Sequence, residues 1–152
     1  MRIIYRLAFI FLMPAALSGC SAAADAFFKA GDSLFQPGAT ETASMRTYSV
    51  SEFIKPYSEN PVKANKALLG KWVKVKGVVT DISKVSGVAE SYSFIVSLKD
   101  ESKNNVIMFQ FGSHNTADVE QLRIGSSATI VGQVHNSNNA MLPVLQNPSV
   151  VK

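Results

Sequence analysis

The sequence predicts an all-β domain with short helices: a small closed barrel of five strands preceded by a helix. Three observations carry that expectation. From Lys71 onward, apolar and β-branched residues recur with a period of two, the spacing of half-buried strands. The elements run helix, three strands, short helix, two strands. The first strand contains Gly77, where a bulge or sharp bend would let it curl and pair with two neighbours. That order with a bent first strand matches the five-stranded OB barrel, although another small β-barrel or sandwich shows similar alternation.

Each element has its own signals. Ser49 and Glu52 have capping-box spacing, so a helix starts near Val50, and Pro56 interrupts it. Asn60-Pro61 reads as N-cap and first helical residue, and Gly70 as the residue after the helix. Between them Val62, Ala64, Ala67 and Leu68 form a core-facing stripe. Lys71–Thr80 is the first strand and Ser83–Glu90 a loop. The second strand is Tyr92–Lys99, with Tyr92, Phe94, Val96 and Leu98 on one face. Asp100–Asn104 is a polar hairpin loop. The third strand is Asn105–Phe111, with Ile107, Phe109 and Phe111 on one face. Thr116–Leu122 makes one or two helical turns capped by Thr116, and Gly125 ends them. Ser127–His135 is the fourth strand and Asn136–Ala140 a turn. Met141–Val151 is the fifth; Pro143 and Pro148 make it an edge strand.

Upstream of the barrel the chain reads as an export signal and an anchor. Arg2 and Arg6 precede an apolar run from Leu7 to Leu17, too short to span a bilayer, and Leu17-Ser18-Gly19-Cys20 follows. These four residues resemble the lipobox of bacterial lipoproteins. The resemblance implies cleavage between Gly19 and Cys20, with diacylglycerol and an N-acyl chain (palmitate) on Cys20. Two or three acyl chains make anchoring durable where one holds only marginally. The alternative is an ordinary secretory signal cleaved near Ala22–Ala24. Ser21 stands where an Asp resembles an inner-membrane retention signal, so the outer membrane, facing the periplasm, is the expected site.

The expected divisions are residues 1–19 as signal peptide, 20–47 as lipid-anchored tether and 48–152 as OB-fold domain. Ala22–Phe35 is either a short amphipathic helix or a sticky leader, with equal weight. Gln36–Thr42 reads as linker.

The chain has 152 residues, 15 basic and 11 acidic. Arg2 and Arg6 lie in the signal, leaving 13 basic against 11 acidic side chains, too mild a balance to mark a polyanion partner. The single cysteine excludes an intrachain disulfide.

The stretches Tyr57-Ser58-Glu59-Asn60, Ala64 and Gly70–Val79, and later Leu122-x-x-Gly125-x-x-Ala128 to Val134, resemble the tRNA_anti-like OB-fold proteins over roughly residues 48–150. The resemblance implies a barrel in a largely exported or lipid-anchored family, not an active site.

No constellation for catalysis stands out. His114 and His135 sit beside loops without a converging Ser and Asp, and Asp100-Glu101 reads as a solvated pair. Neither a metal-ligand cluster nor a phosphate-cradling loop occurs, so no enzyme, no metal and no cofactor beyond the lipid are expected. OB barrels bind on strands two and three and the flanking loops. The candidate ligand contacts are Trp72, Lys74, Lys76, Tyr92 and Phe109, with Asn136, Asn138 and Asn139 in the last loop. Aromatics beside lysines suit stacking on bases or sugars; the bland reading, that the aromatics fill the barrel and the lysines are solvated, ranks first. The expected role is a non-enzymatic binding module for an envelope protein or glycan. A single-strand nucleic-acid module and a structural subunit of an envelope complex are the alternatives.

Overall fold

Ser49 sets the start of the main N-terminal helix through a reciprocal capping box. Its hydroxyl accepts from the Glu52 N–H at 3.2 Å, and the Glu52 carboxylate accepts from the Ser49 N–H at 2.8 Å. The computed structural model describes residues 36–85, 93–101, 104–135 and 143–152. Within them the elements are α1 (Ala39–Ser44), β1 (Thr47–Ser49), α2 (Val50–Glu59), α3 (Pro61–Leu68), β2 (Trp72–Lys84), β3 (Phe94–Lys99), β4 (Val106–Phe111), a 3-10 turn (Ser113–Asn115), α4 (Thr116–Glu120), β5 (Ser127–His135) and β6 (Val144–Val150).

The strands close in the order β2-β3-β4-β6-β5, with β5 returning to β2, and β1 adds a short parallel strand against β2. All contacts are antiparallel except β1–β2 and β4–β6. The predicted five-stranded OB barrel is therefore the observed fold. Gly77 sits where β2 passes from β5 to β3: Trp72–Val78 pair with β5 and Val78–Lys84 with β3. A Cβ there would lie 2.8 Å from the Lys99 carbonyl oxygen and 2.8 Å from a Val50 methyl. The bulge itself falls three residues on, where Thr80 has no partner between Val79↔Leu98 and Asp81↔Ser97.

The core is the inward set of all five barrel strands, with Val96, Leu98, Phe109, Phe111, Ile130 and Leu145 fully buried. Phe53, Ile54 and Tyr57 of α2, Ala64 of α3 and Val119 of α4 join that cluster.

Four local expectations fail. The helix at Pro56 is continuous: Pro56 removes one N–H, while buried Ile54 and Tyr57 hold the turn on either side of it. Val62 and Ala67 face solvent, and only Ala64 and Leu68 of the expected stripe reach the core. Thr116 is the first residue of α4 rather than its cap; its hydroxyl donates to the Ser113 carbonyl at 2.7 Å. Finally, β6 is not an edge, because it bonds to β4 and to β5. Its Pro148 is tolerated at a bulge, where the register slips between Val131↔Ser149 and Gln133↔Gln146, and Asn147 takes φ +49°.

Residues 36–42, expected as linker, are tied to the barrel at both ends. The Gln36 side-chain amide donates to the Asn147 carbonyl at 3.3 Å, and α1 follows. Among the described residues, no helix is long and apolar enough to cross a membrane.

Candidate functional site

Strand alternation divides β3 and β4 into two sides. Val96, Leu98, Ile107, Phe109 and Phe111 point inward. The outer side carries Ile95, Ser97 and Lys99 of β3 opposite Gln110, Met108 and Val106 of β4. Asp81 of β2 pairs with Ser97, and its carboxylate accepts from the Ser83 hydroxyl. On the β6 side, the Gln146 amide donates to the Gln110 side-chain oxygen at 3.0 Å. Met108 and Val106 are exposed. Among the described residues this outer face has one cation, Lys99, one anion, Asp81, and no aromatic ring.

The four candidate contacts that lie among the described residues, Trp72, Lys74, Lys76 and Phe109, do not converge. Phe109 is a correction: it is fully buried inside the barrel, because Ile107, Phe109 and Phe111 share the inward side of β4, so it cannot stack on a ligand. Lys74 is also a correction. It is only 7% exposed, and its ammonium donates to the Thr42 carbonyl at 2.8 Å and the Ala43 carbonyl at 3.5 Å. Those carbonyls belong to the last turn of α1, where a cation is favoured. Trp72, half-buried, and Lys76, exposed, share the outer side of β2 with Lys74, but they pair with Gln133 and Thr129 of β5 rather than facing the β3–β4 surface. Tyr92, Asn136, Asn138, Asn139, Gly19 and Cys20 lie outside the described residues.

A second feature was missed in the sequence. A cleft of about 350 Å³ opens between β1 and the β3–β4 hairpin, lined by Thr47, Tyr48, Ser49, Lys76, Asp100 and Glu101. The start of α2 shapes it. The Ser51 N–H donates to the Asp100 carboxylate at 3.3 Å, and the Asn105 amide donates to the Ser51 hydroxyl at 3.1 Å. Arg46 lies over the Tyr48 ring at 4.8 Å and reaches Glu52 at 3.4 Å. The backbone N–H of Ser49, joined by Arg46, holds the Glu52 carboxyl below its ordinary pKa. The capping-box spacing was a visible signal for this corner, but a three-residue strand before it has no period to read. Charges of both signs line the cleft, Lys76 against Asp100 and Glu101. Among the described residues, no group of three His, Cys, Asp or Glu side chains could hold a metal.

The model of the family described as tRNA_anti-like matches residues 1–150. Among solved structures, the chain is similar to a candidate nucleic acid-binding lipoprotein from Klebsiella pneumoniae, at 55% identity and a TM-score of 0.73, over 77% of this chain and 100% of that one. An OB domain from Methanosarcina mazei matches at 24% identity and a TM-score of 0.39, over 55% of this chain and 73% of that one. A candidate aspartyl-tRNA synthetase from Leishmania major matches at 16% identity and 0.47, over 87% and 26%. The comparison with curated proteins found no match.

Proposed function

The chain belongs to the tRNA_anti-like family, and from that premise we propose that it is an acylated envelope lipoprotein, not an enzyme, whose OB barrel binds an envelope protein through the outer face of β3 and β4. One observation carries the choice of ligand. Among the described residues that face offers exposed Met108 and Val106 among neutral polar groups, with opposite single charges and no ring. Bases and sugars are held largely by stacking on aromatics, and nucleic-acid backbones by clustered cations. An exposed aliphatic pair among neutral polar groups, one of the pair an adaptable methionine, suits a protein better than a glycan or a single strand.

Leu17-Ser18-Gly19-Cys20 supports the anchor, and the lipoprotein description of the Klebsiella relative agrees with it. Ser21 directs the anchor to the outer membrane, with the barrel in the periplasm. Intact-mass analysis reads the lipid: a diacylglyceryl and an N-acyl group on Cys20 are expected, and an unmodified Cys20 overturns the anchor.

A photoreactive residue at position 110 of the full-length protein tests the ligand. An envelope-protein cross-link abolished by Met108→Glu supports the reading. The second reading, single-strand binding, is favoured by the description of that same relative as nucleic acid-binding. Salt-dependent binding of short single strands, weakened by Met108→Glu, would replace the first reading with the second.

A further inference from the structure

The helix α3 turns an unexpected side to solvent. Val62 is 78% exposed and Leu69, its C-cap, is 52% exposed. Positions 62, 66 and 69 follow one another along a single helical face, so Lys66 lies between the two apolar side chains. Ala64 and Leu68 take the opposite side, toward the core. Lys63 and Lys71 are exposed beside the row. Residues 55–71 carry four lysines and one acidic residue, Glu59, which already reaches Lys55 at 3.9 Å. The chain after Cys20 is nearly balanced overall, so its positive excess is concentrated here.

The place where the described chain begins points the same way. Gln36 bonds to Asn147, next to Gln146 of β6. Gln146 pairs with Gln133, and Gln133 pairs with Trp72 and donates to the Gly70 carbonyl at 3.0 Å. The Gln133 amide thus links the Leu69–Gly70 turn, across β5, to the strand against which Gln36 is held, where the chain leads back to Cys20. Sixteen residue steps separate Cys20 from Gln36, at most about 55 Å of chain.

We propose that Val62, Lys66 and Leu69, flanked by Lys63 and Lys71, form a membrane-docking face that seats the barrel on an anionic bilayer. The occupant is a lipid surface: apolar side chains enter the headgroup boundary while lysine ammoniums meet anionic headgroups. The proposal rests on the anchored reading above, since the acylated Cys20 keeps this weak face near the bilayer.

The test uses full-length protein, its acylation verified by mass, in vesicles of phosphatidylethanolamine and phosphatidylglycerol. The native thiol is blocked by its lipid, so an introduced cysteine takes a fluorophore uniquely. Ala67→Cys reports from an exposed position of α3 next to Lys66 in the chain, and Ser83→Cys at the far end of β2 is the reference. Brominated lipid is expected to quench the label at 67 several-fold more than that at 83. Lys63→Gln with Lys66→Gln, or Val62→Asn with Leu69→Asn, should remove the difference at an unchanged melting temperature. Each lysine lost should weaken docking about fivefold. Equal quenching at both sites of acylated protein overturns the proposal. So does quenching at 67 that ignores the phosphatidylglycerol content. Self-association through Ala67 without lipid quenching also overturns it, making this a face between copies. An unacylated Cys20 overturns the anchor alone: the same two labels, with Cys20→Ser, then read whether the lysine face still finds anionic vesicles.

Discussion

Tyr57 shows what a single buried atom can cost. Its ring is 3% exposed and packs against Phe53 at a centroid distance of 5.8 Å, while its hydroxyl has no hydrogen-bond partner among the described residues. Burial pushes its pKa above the ordinary 10.0. The folded state therefore keeps the proton longer than the unfolded state. The associated stability is whole below pH 10 and is lost as pH rises through the folded value. Tyr57→Phe should flatten the alkaline side of a melting-temperature profile. At neutral pH it should be neutral or stabilising by up to about 1 kcal/mol, since no partner is orphaned. Gly77→Ala should do the reverse. The added methyl meets a backbone oxygen at 2.8 Å, which cannot swing aside, so a loss of about 1–3 kcal/mol is expected in denaturant unfolding. Gly77 was legible as special, because glycine in an alternating strand needs a reason. Phe109 was legible too: its place in the Ile107, Phe109, Phe111 series puts it on the inward side of its strand, where it cannot stack on a ligand. Lys74 was not legible. Its partners are carbonyls about thirty residues away, and carbonyl positions leave no trace in a sequence.

At the scale of elements, period and caps were readable where they are local. The strand Ser127–His135 has the bounds expected of it, and the Ser49–Glu52 box starts α2 as its spacing requires. Proline was read too strictly. Pro56 stands inside a helix whose flanking residues are anchored in the core, and Pro148 sits in a bulge that asks nothing of its missing N–H. Closure, which moves β6 from edge to interior, depends on parallel pairing with β4, a contact between distant segments. The capping box also predicts a pH response. The Glu52 carboxyl is held below its ordinary 4.5, chiefly by the Ser49 N–H. The unfolded chain then takes up the proton first as pH falls. The contribution is present above about pH 4.5 and is lost as pH drops through the folded value. Glu52→Gln should lower the neutral-pH melting temperature slightly and make the acid limb shallower. A parallel shift with an unchanged acid slope would show that the charge at Glu52 is irrelevant.

For the whole molecule, the question is what fixes the barrel relative to the chain that leads to its anchor. Residues 36–44 cross the outer side of the barrel from Asn147 on β6 to Lys74 on β2. Val131 of β5 lies opposite Lys74 in register and is fully buried, although it belongs to the outer side. A helix of six residues such as α1 does not persist in water alone. It is therefore held by contacts, and the strongest polar one is the Lys74 ammonium on the Thr42 and Ala43 carbonyls. Lys74→Met keeps the stem and removes the charge. It should leave the barrel's melting within about 1 kcal/mol, because no inward side chain changes. Hydrogen exchange should rise at Thr42–Met45 and proteolysis should reach that segment, while the amides of β3 and β4 stay protected. With the segment released, the chain leaving the barrel is no longer held between β6 and β2, so the quenching contrast between labels at 67 and 83 should shrink although all three docking lysines remain. Retention of protection at Thr42–Met45 in Lys74→Met would place the hold elsewhere than on the Lys74 ammonium.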